Sequence, residues 1–334
     1  MRRFGIAGLA AVLAPLVIAP TGAAARWVVQ PMQVPQTPNG QLASVACSGT
    51  ACNAVGYFID ASGVQQTLAE RWSGTSWAVQ STPNPAGATS STLTGALCSS
   101  ASACTAVGSF ATNPGVKPTR PLVERWNGTS WATVVVQTPT GTVSSLLSGV
   151  SCTAATACTA VGTYTTNAGA QLTLAEGWNG TSWTIQSTPN PANASSIRLS
   201  GVSCTAGTAC TAVGSYLNGV DFQTLSEGWN GTSWAIETTP TPPFSGFTGD
   251  SCAAATTCEA VGSVFAESWN GTTWAAQTIA TLSSGTLDSL SGVSCTAATA
   301  CTAGGSFVRY FQIGFAYSFG SQAFVSLPLA ERYS

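Results

Sequence analysis

The chain has 334 residues, 44% of them hydrophobic and only 7% charged, with a net charge of −2. This balance excludes a disordered protein, and the lack of any basic cluster excludes nucleic acid as a partner, because phosphates need a concentrated positive surface. Gly, Ser, Thr and Ala dominate, which favours short strands and tight turns over solvated helices, so the fold class is all-β.

The first 25 residues read as a signal peptide. Arg2 and Arg3 make a positive start, Phe4 to Ala19 an apolar core, and Ala23-Ala24-Ala25 a small-residue cleavage site, so the mature chain begins near Arg26. Pro15 and Pro20 interrupt the apolar run, which argues against a membrane anchor, and no second apolar span follows. A secreted, extracellular protein is expected.

Twelve cysteines then fall into six local pairs: Cys47 with Cys52, Cys98 with Cys104, Cys152 with Cys158, Cys204 with Cys210, Cys252 with Cys258, and Cys295 with Cys301. Successive first cysteines lie 51, 54, 52, 48 and 43 residues apart, a period near 50 that signals a propeller or other repeat array. After export the pairs are expected as disulfides, each worth about 2.4 kcal/mol by loop-closure entropy. Zinc is disfavoured because the chain has no histidine, and nothing else calls for a metal or cofactor.

Each period reads as four strands. The first is of the type Leu147 to Cys152, the second of the type Ala103 to Phe110, the third of the type Thr173 to Trp178, and the fourth starts at a second tryptophan, as in Trp183 to Gln186. Asn-Gly between the tryptophans marks a hairpin turn, and period-two alternation puts Trp178 and Trp183 on one face. Asn-Gly-Thr at Asn127, Asn179, Asn230 and Asn270 also matches a glycosylation sequon, which the turn explains by itself. The predicted fold is a six-bladed β-propeller with four antiparallel strands per blade over residues 26–334. The blades fall at about 42–81, 93–137, 147–186, 199–237, 247–277 and 290–334. The last copy ends after its third strand, while Arg26-Trp27-Val28-Val29-Gln30 matches Ser76-Trp77-Ala78-Val79-Gln80, so residues 27–31 are expected to complete the sixth blade and close the ring.

Two copies depart from the pattern. From second-strand glycine to third-strand glutamate the count is 14, 16, 14 and 13 residues in the first four copies, 5 in the fifth and 26 in the sixth. The long segment carries Phe307, Tyr310, Phe311, Phe315, Tyr317, Phe319 and Phe324, which either lengthens its own strands or offers an aromatic platform. The loops after strands two and four vary most and mark the expected binding end.

A third-strand glutamate recurs as Glu70, Glu124, Glu176, Glu227, Glu267 and Glu331. Alternation places it beside the following aromatic residue, where it either takes buried hydrogen bonds or holds sugar hydroxyls while the indole stacks on the ring. The run Glu124-Arg125-Trp126-Asn127-Gly128-Thr129-Ser130-Trp131 resembles the hairpin of six-bladed fucose-binding lectin propellers, a resemblance that implies sugar binding by glutamate, arginine and tryptophan. Here the spacing from Glu to the first Trp is one residue shorter, and Ala-Val-Gly stands where that family carries its arginine. The whole repeat resembles secreted bacterial, actinobacterial-type propeller repeat proteins with paired cysteines and the WNGTSW turn, a group that implies no particular activity.

No catalytic residue is identified. Without histidine there is no Ser-His or Cys-His nucleophile system, Asp60 and Asp221 are scattered loop acids, and Lys117, Arg120, Arg198 and Arg309 form no cluster of the sialidase kind. The sequence therefore points to a non-catalytic binding or scaffold module for carbohydrate or cell-envelope material. The candidate binding residues are Glu70, Glu124, Glu176, Glu227, Tyr310, Phe311, Phe315 and Tyr317. A polysaccharide-active glycosidase or lyase and a structural surface protein without a small ligand are the alternatives.

Overall fold

A computed structural model describes residues 39–113, 119–240, 245–279, 288–312 and 322–333. Every regular element among them is a strand. The first strands of the six units are Gly40–Ser48, Ser90–Ser100, Thr142–Ala154, Ser195–Ala206, Phe247–Ala254 and Asp288–Ala297. The second are Ala51–Ile59, Ala103–Ala111, Ala157–Thr166, Ala209–Asn218, Thr257–Gly262 and Ala300–Gln312. The third are Gln65–Trp72, Thr119–Trp126, Gln171–Trp178, Asp221–Trp229, Phe265–Trp269 and Gln322–Tyr333. Fourth strands at Trp77–Gln80, Trp131–Val134, Trp183–Gln186, Trp234–Glu237 and Trp274–Gln277 complete the first five units.

Within each unit the strands pair antiparallel in chain order. A single parallel bridge, Gln65 to Ser90, joins the first two units into one eight-stranded sheet. All six expected cysteine pairs are disulfides. Cys47 is bonded to Cys52, Cys98 to Cys104, Cys152 to Cys158, Cys204 to Cys210, Cys252 to Cys258 and Cys295 to Cys301. In every unit the two partners stand directly opposite each other across the first hairpin.

The hairpin between the third and fourth strands has a four-residue loop in which the asparagine side chain takes the hydrogen bonds. Asn179 Oδ1 accepts from the Thr181 and Ser182 amides, at 3.0 and 2.9 Å, while Gly180 adopts φ 97°. The flanking tryptophans face each other with ring centroids 5.5–5.8 Å apart in all five complete units.

The core lies in seams between consecutive sheets. Val161 and Ala175 of unit 3 pack against Leu199, Cys210, Ala212, Leu225 and Trp234 of unit 4. The other neighbouring pairs repeat that arrangement, with Phe247 replacing the first-strand leucine in unit 5. Alternation along each strand supplies both halves: the strand-two valine points to the following unit, and the cysteines, tryptophans and glutamate point to the preceding one.

First strands of neighbouring units run side by side at their closest approach. A Cβ on Gly149 would lie 3.2 Å from Gly201 Cα, and one on Gly201 would lie 3.2 Å from Gly249 Cα. Ser151 and Ser203 then tie the strands, each hydroxyl accepting from the amide of the next unit's Cys204 or Cys252 at 2.9 Å.

The short fifth unit turns directly from Gly262 to Phe265. In the sixth, the long segment extends its own hairpin, with backbone pairing running from Cys301 opposite Tyr333 to Gln312 opposite Gln322. Tyr310 and Phe311 stand on that hairpin, whereas Phe315 and Tyr317 lie outside the described residues, as do residues 27–31.

Candidate functional site

The recurring glutamates lie in the middle of the seams. Glu70, Glu124, Glu176 and Glu227 are 0% exposed, and each pairs across the sheet with a second-strand alanine. Burial pushes the carboxyls of Glu124, Glu176 and Glu227 up to about 8, and that of Glu267 to about 7. The Thr67 and Thr173 hydroxyls of the preceding sheets pull the other way on Glu124 and Glu227. Glu124, Glu176 and Glu227 are therefore mainly neutral acids at pH 7, enclosed by packing. The carboxyls of Glu124, Glu176 and Glu227 lie out of reach of solvent, with neither oxygen hydrogen-bonded.

Space arises where the seams differ. The residue between the third-strand glutamate and tryptophan is Arg71, Arg125, Gly177 and Gly228 in units 1 to 4. The Arg71 guanidinium lies 5.1 Å from the Trp126 ring centre of the next unit and donates to the Ala101 carbonyl at 3.0 Å. Arg125 lies 4.4 Å from the Trp178 ring centre and donates to the Ala155 carbonyl. Under these lids Trp126 and Trp178 are 5% and 8% exposed. With glycine at 177 and 228, Trp229 and Trp269 are left half-buried.

Clefts lie at both glycine seams. Between units 3 and 4 one of about 90 Å³ includes Ser151, Thr159 and Gln186, and another of about 480 Å³ lies beside the fourth strands, lined by Gln186, Trp229 and Trp234 among others. The counterpart of the first, between units 4 and 5, is the larger of that pair, about 230 Å³, and is lined by Ser203, Thr205, Thr211, Glu237, Ala255 and Trp269 among others. The fourth-strand side chain crosses each seam: Gln186 Oε1 accepts from Trp234 Nε1, and Glu237 Oε2 from Trp274 Nε1, both at 3.0 Å. Ser226 also donates to Glu237 Oε2, at 2.8 Å, which fixes the carboxylate. In the arginine-lidded seams Gln80 turns back to its own strand and Val134 offers no acceptor, so Trp131 and Trp183 keep unpartnered indole N–H groups.

Ala255 comes from a cysteine loop and Asn230 and Gly271 from tryptophan turns, so the cleft between units 4 and 5 opens at the end opposite the variable loops. The loop acids do not join it. Asp60 closes its own hairpin, held below the usual carboxylate range by Ser62, Val64 and Gln66, and Asp221 pairs with Asn218 in a different unit. Sequence reasoning also missed Asp250, which stands where Val150 and Val202 stand in the preceding units. Its carboxyl packs over Gly201 and is pushed well above the usual range, chiefly by burial and also by the charge of Glu237.

No family model and no curated protein matches the chain. Solved structures do. A protein of unknown function from Dyadobacter fermentans superposes with a TM-score of 0.57 at 11% identity, over 90% of this chain and 97% of its own. A Hadza microbial sialidase gives 0.54 at 8% identity, over 88% of this chain and 66% of its own. The fucose-specific lectin from Aleuria aurantia gives 0.43 at 10% identity, over 85% and 95%. The chain folds as a β-propeller. Its strand units are the blades, and the clefts described above are gaps between blades 3 and 4 and between blades 4 and 5.

Proposed function

We propose that the protein is an extracellular, non-catalytic binding module that seats a saccharide in the cleft between blades 4 and 5. Half-buried Trp269, beside the hydroxyls of Ser203, Thr205 and Thr211 and the Glu237 carboxylate, carries this reading. An indole face suits the apolar face of a sugar ring, while hydroxyls and a carboxylate match its hydroxyls. At about 230 Å³ the cleft is smaller than the roughly 300–1,000 Å³ of drug-sized sites, which suits one sugar residue at a time. Among the described residues Glu237 is the one carboxylate lining it, whereas glycoside hydrolysis in its usual form uses two, so the arrangement favours binding over cleavage.

The wider frame belongs to the same reading. Six disulfides fit an oxidising compartment, and no helix among the described residues is long and apolar enough to cross a membrane. Secretion with cleavage near Arg26 accords with both. We take the ring to have six blades, closed by residues 27–31. In support, Arg26-Trp27-Val28-Val29-Gln30 repeats the pattern of Ser76-Trp77-Ala78-Val79-Gln80, of which Trp77–Gln80 forms the fourth strand of blade 1.

The test is a screen of the mature protein against polysaccharides and a glycan array, followed by Trp269→Ala. Loss of binding by tenfold or more with an unchanged melting temperature is expected. Unaltered binding in Trp269→Ala, or no glycan bound, overturns the assignment.

A further inference from the structure

Blades 1 and 2 show what this fold places over the first tryptophan of the next blade: a cation. Arg71 and Arg125 each stack a guanidinium on that indole and hydrogen-bond a carbonyl of the neighbouring cysteine loop, Ala101 or Ala155. Between blades 4 and 5 the host for such a group persists while the group itself is missing. Gly228 stands at the arginine position, Trp269 at the indole position, and Ala255 at the position of Ala101 and Ala155. One element is added: Glu237 holds Oε1 against the point where a Cβ on residue 228 would fall, so a carboxylate stands beside the root of the missing lid. The seam between blades 3 and 4 has the neutral Gln186 in that place. Among the described residues, no Lys or Arg lines the cleft between blades 4 and 5.

We infer that the cleft between blades 4 and 5 selects a cationic saccharide, an amino sugar whose ammonium takes the place that the arginine guanidinium fills in blades 1 and 2. This rests on the saccharide reading above and names its class. The ammonium would face the Trp269 ring and the Glu237 carboxylate, a pairing in which ring quadrupole and full charge act together. An N-acetylated sugar of the same length lacks the charge and adds bulk.

The experiment measures binding of glucosamine oligosaccharides, their N-acetylated counterparts and an arginine-containing peptide to the mature protein by calorimetry. Glucosamine oligomers are expected to bind at least tenfold more tightly than the acetylated ones. Glu237→Gln, which reproduces the Gln186 arrangement and keeps an acceptor for Trp274, should erase that preference, and Gly228→Arg should abolish binding by restoring the lid. Circular dichroism and melting temperature report whether each variant is folded, and Glu237→Gln decides the matter if Gly228→Arg is not. Equal binding of charged and acetylated oligomers overturns the inference and leaves the saccharide reading standing. Binding of neither overturns both, and binding of the peptide alone overturns both in favour of a peptide ligand.

Discussion

A glutamate buried at 0% exposure between two sheets has its proton in the folded state and loses it on unfolding. For Glu176 the folded carboxyl titrates at about 8 against the ordinary 4.5, because burial disfavours the charged form. Between those values the folded chain holds more protons than the unfolded one, so stability falls as pH rises through that window and levels off above it. Melting temperature should accordingly be higher near about pH 5 than near about pH 8.5. Glu176→Gln should change little at the lower pH and stabilise by about 1–3 kcal/mol at the higher, the order of the cost of a buried unsatisfied polar group. A pH series of thermal melts on both proteins checks this; a larger stabilisation at the acidic end would contradict it. The recurrence of the glutamate was legible in the sequence, whereas its neutrality was not, because alternation fixes a face and says nothing about what covers that face. The same holds for Arg71, Arg125, Gly177 and Gly228: the residue types were in view, but each acts on the tryptophan of the next unit, a contact that spacing within one unit cannot reveal.

At the scale of the element, the second-strand glycine shows why a regular motif can be structural. The first strand bulges opposite it, with the register shifting between Leu147 and Gly149, and a Cβ on Gly162 would overlap the Leu146 carbonyl oxygen. Gly162→Ala should therefore destabilise by about 3 kcal/mol or more, as overpacking against backbone does, while Gly169→Ala in the nearby hairpin tip, with open space around it, should cost less. Denaturant midpoints of the two variants separate the cases. Hairpins, tryptophan pairs and disulfides such as Cys152 to Cys158 were all readable from spacing, since each is a contact between residues close in the chain. Bulges were not, because a bulge adds a residue without disturbing the alternation on either side.

For the whole molecule, the cost of an open ring falls on the first and last blades. In the proposed closure, residues 27–31, which repeat the fourth-strand pattern, complete the sixth blade. A mature chain beginning at Met32 should melt well below one beginning at Arg26, as thermal melts of the two would show. Equal melting temperatures would refute closure by that strand. Fold class and strand order followed from the sequence period, because a repeat of this length has few ways to bury its apolar faces. The position of the cleft did not, since it depends on what is absent at Gly228 rather than on any motif.

The seams carry one more consequence. Each blade bears both halves of a single joint, the valine face and the cysteine-tryptophan face, so the joint is heterologous and head-to-tail. Nothing in such a joint distinguishes a neighbour in the same chain from one in another molecule. On the closure proposed above, a chain that fails to close during folding exposes two mutually complementary ends, and these can pair between molecules as domain-swapped rings or open fibres. Short-range disulfides inside each blade leave that hazard untouched, so correct assembly depends on the two ends of one chain meeting before they meet another.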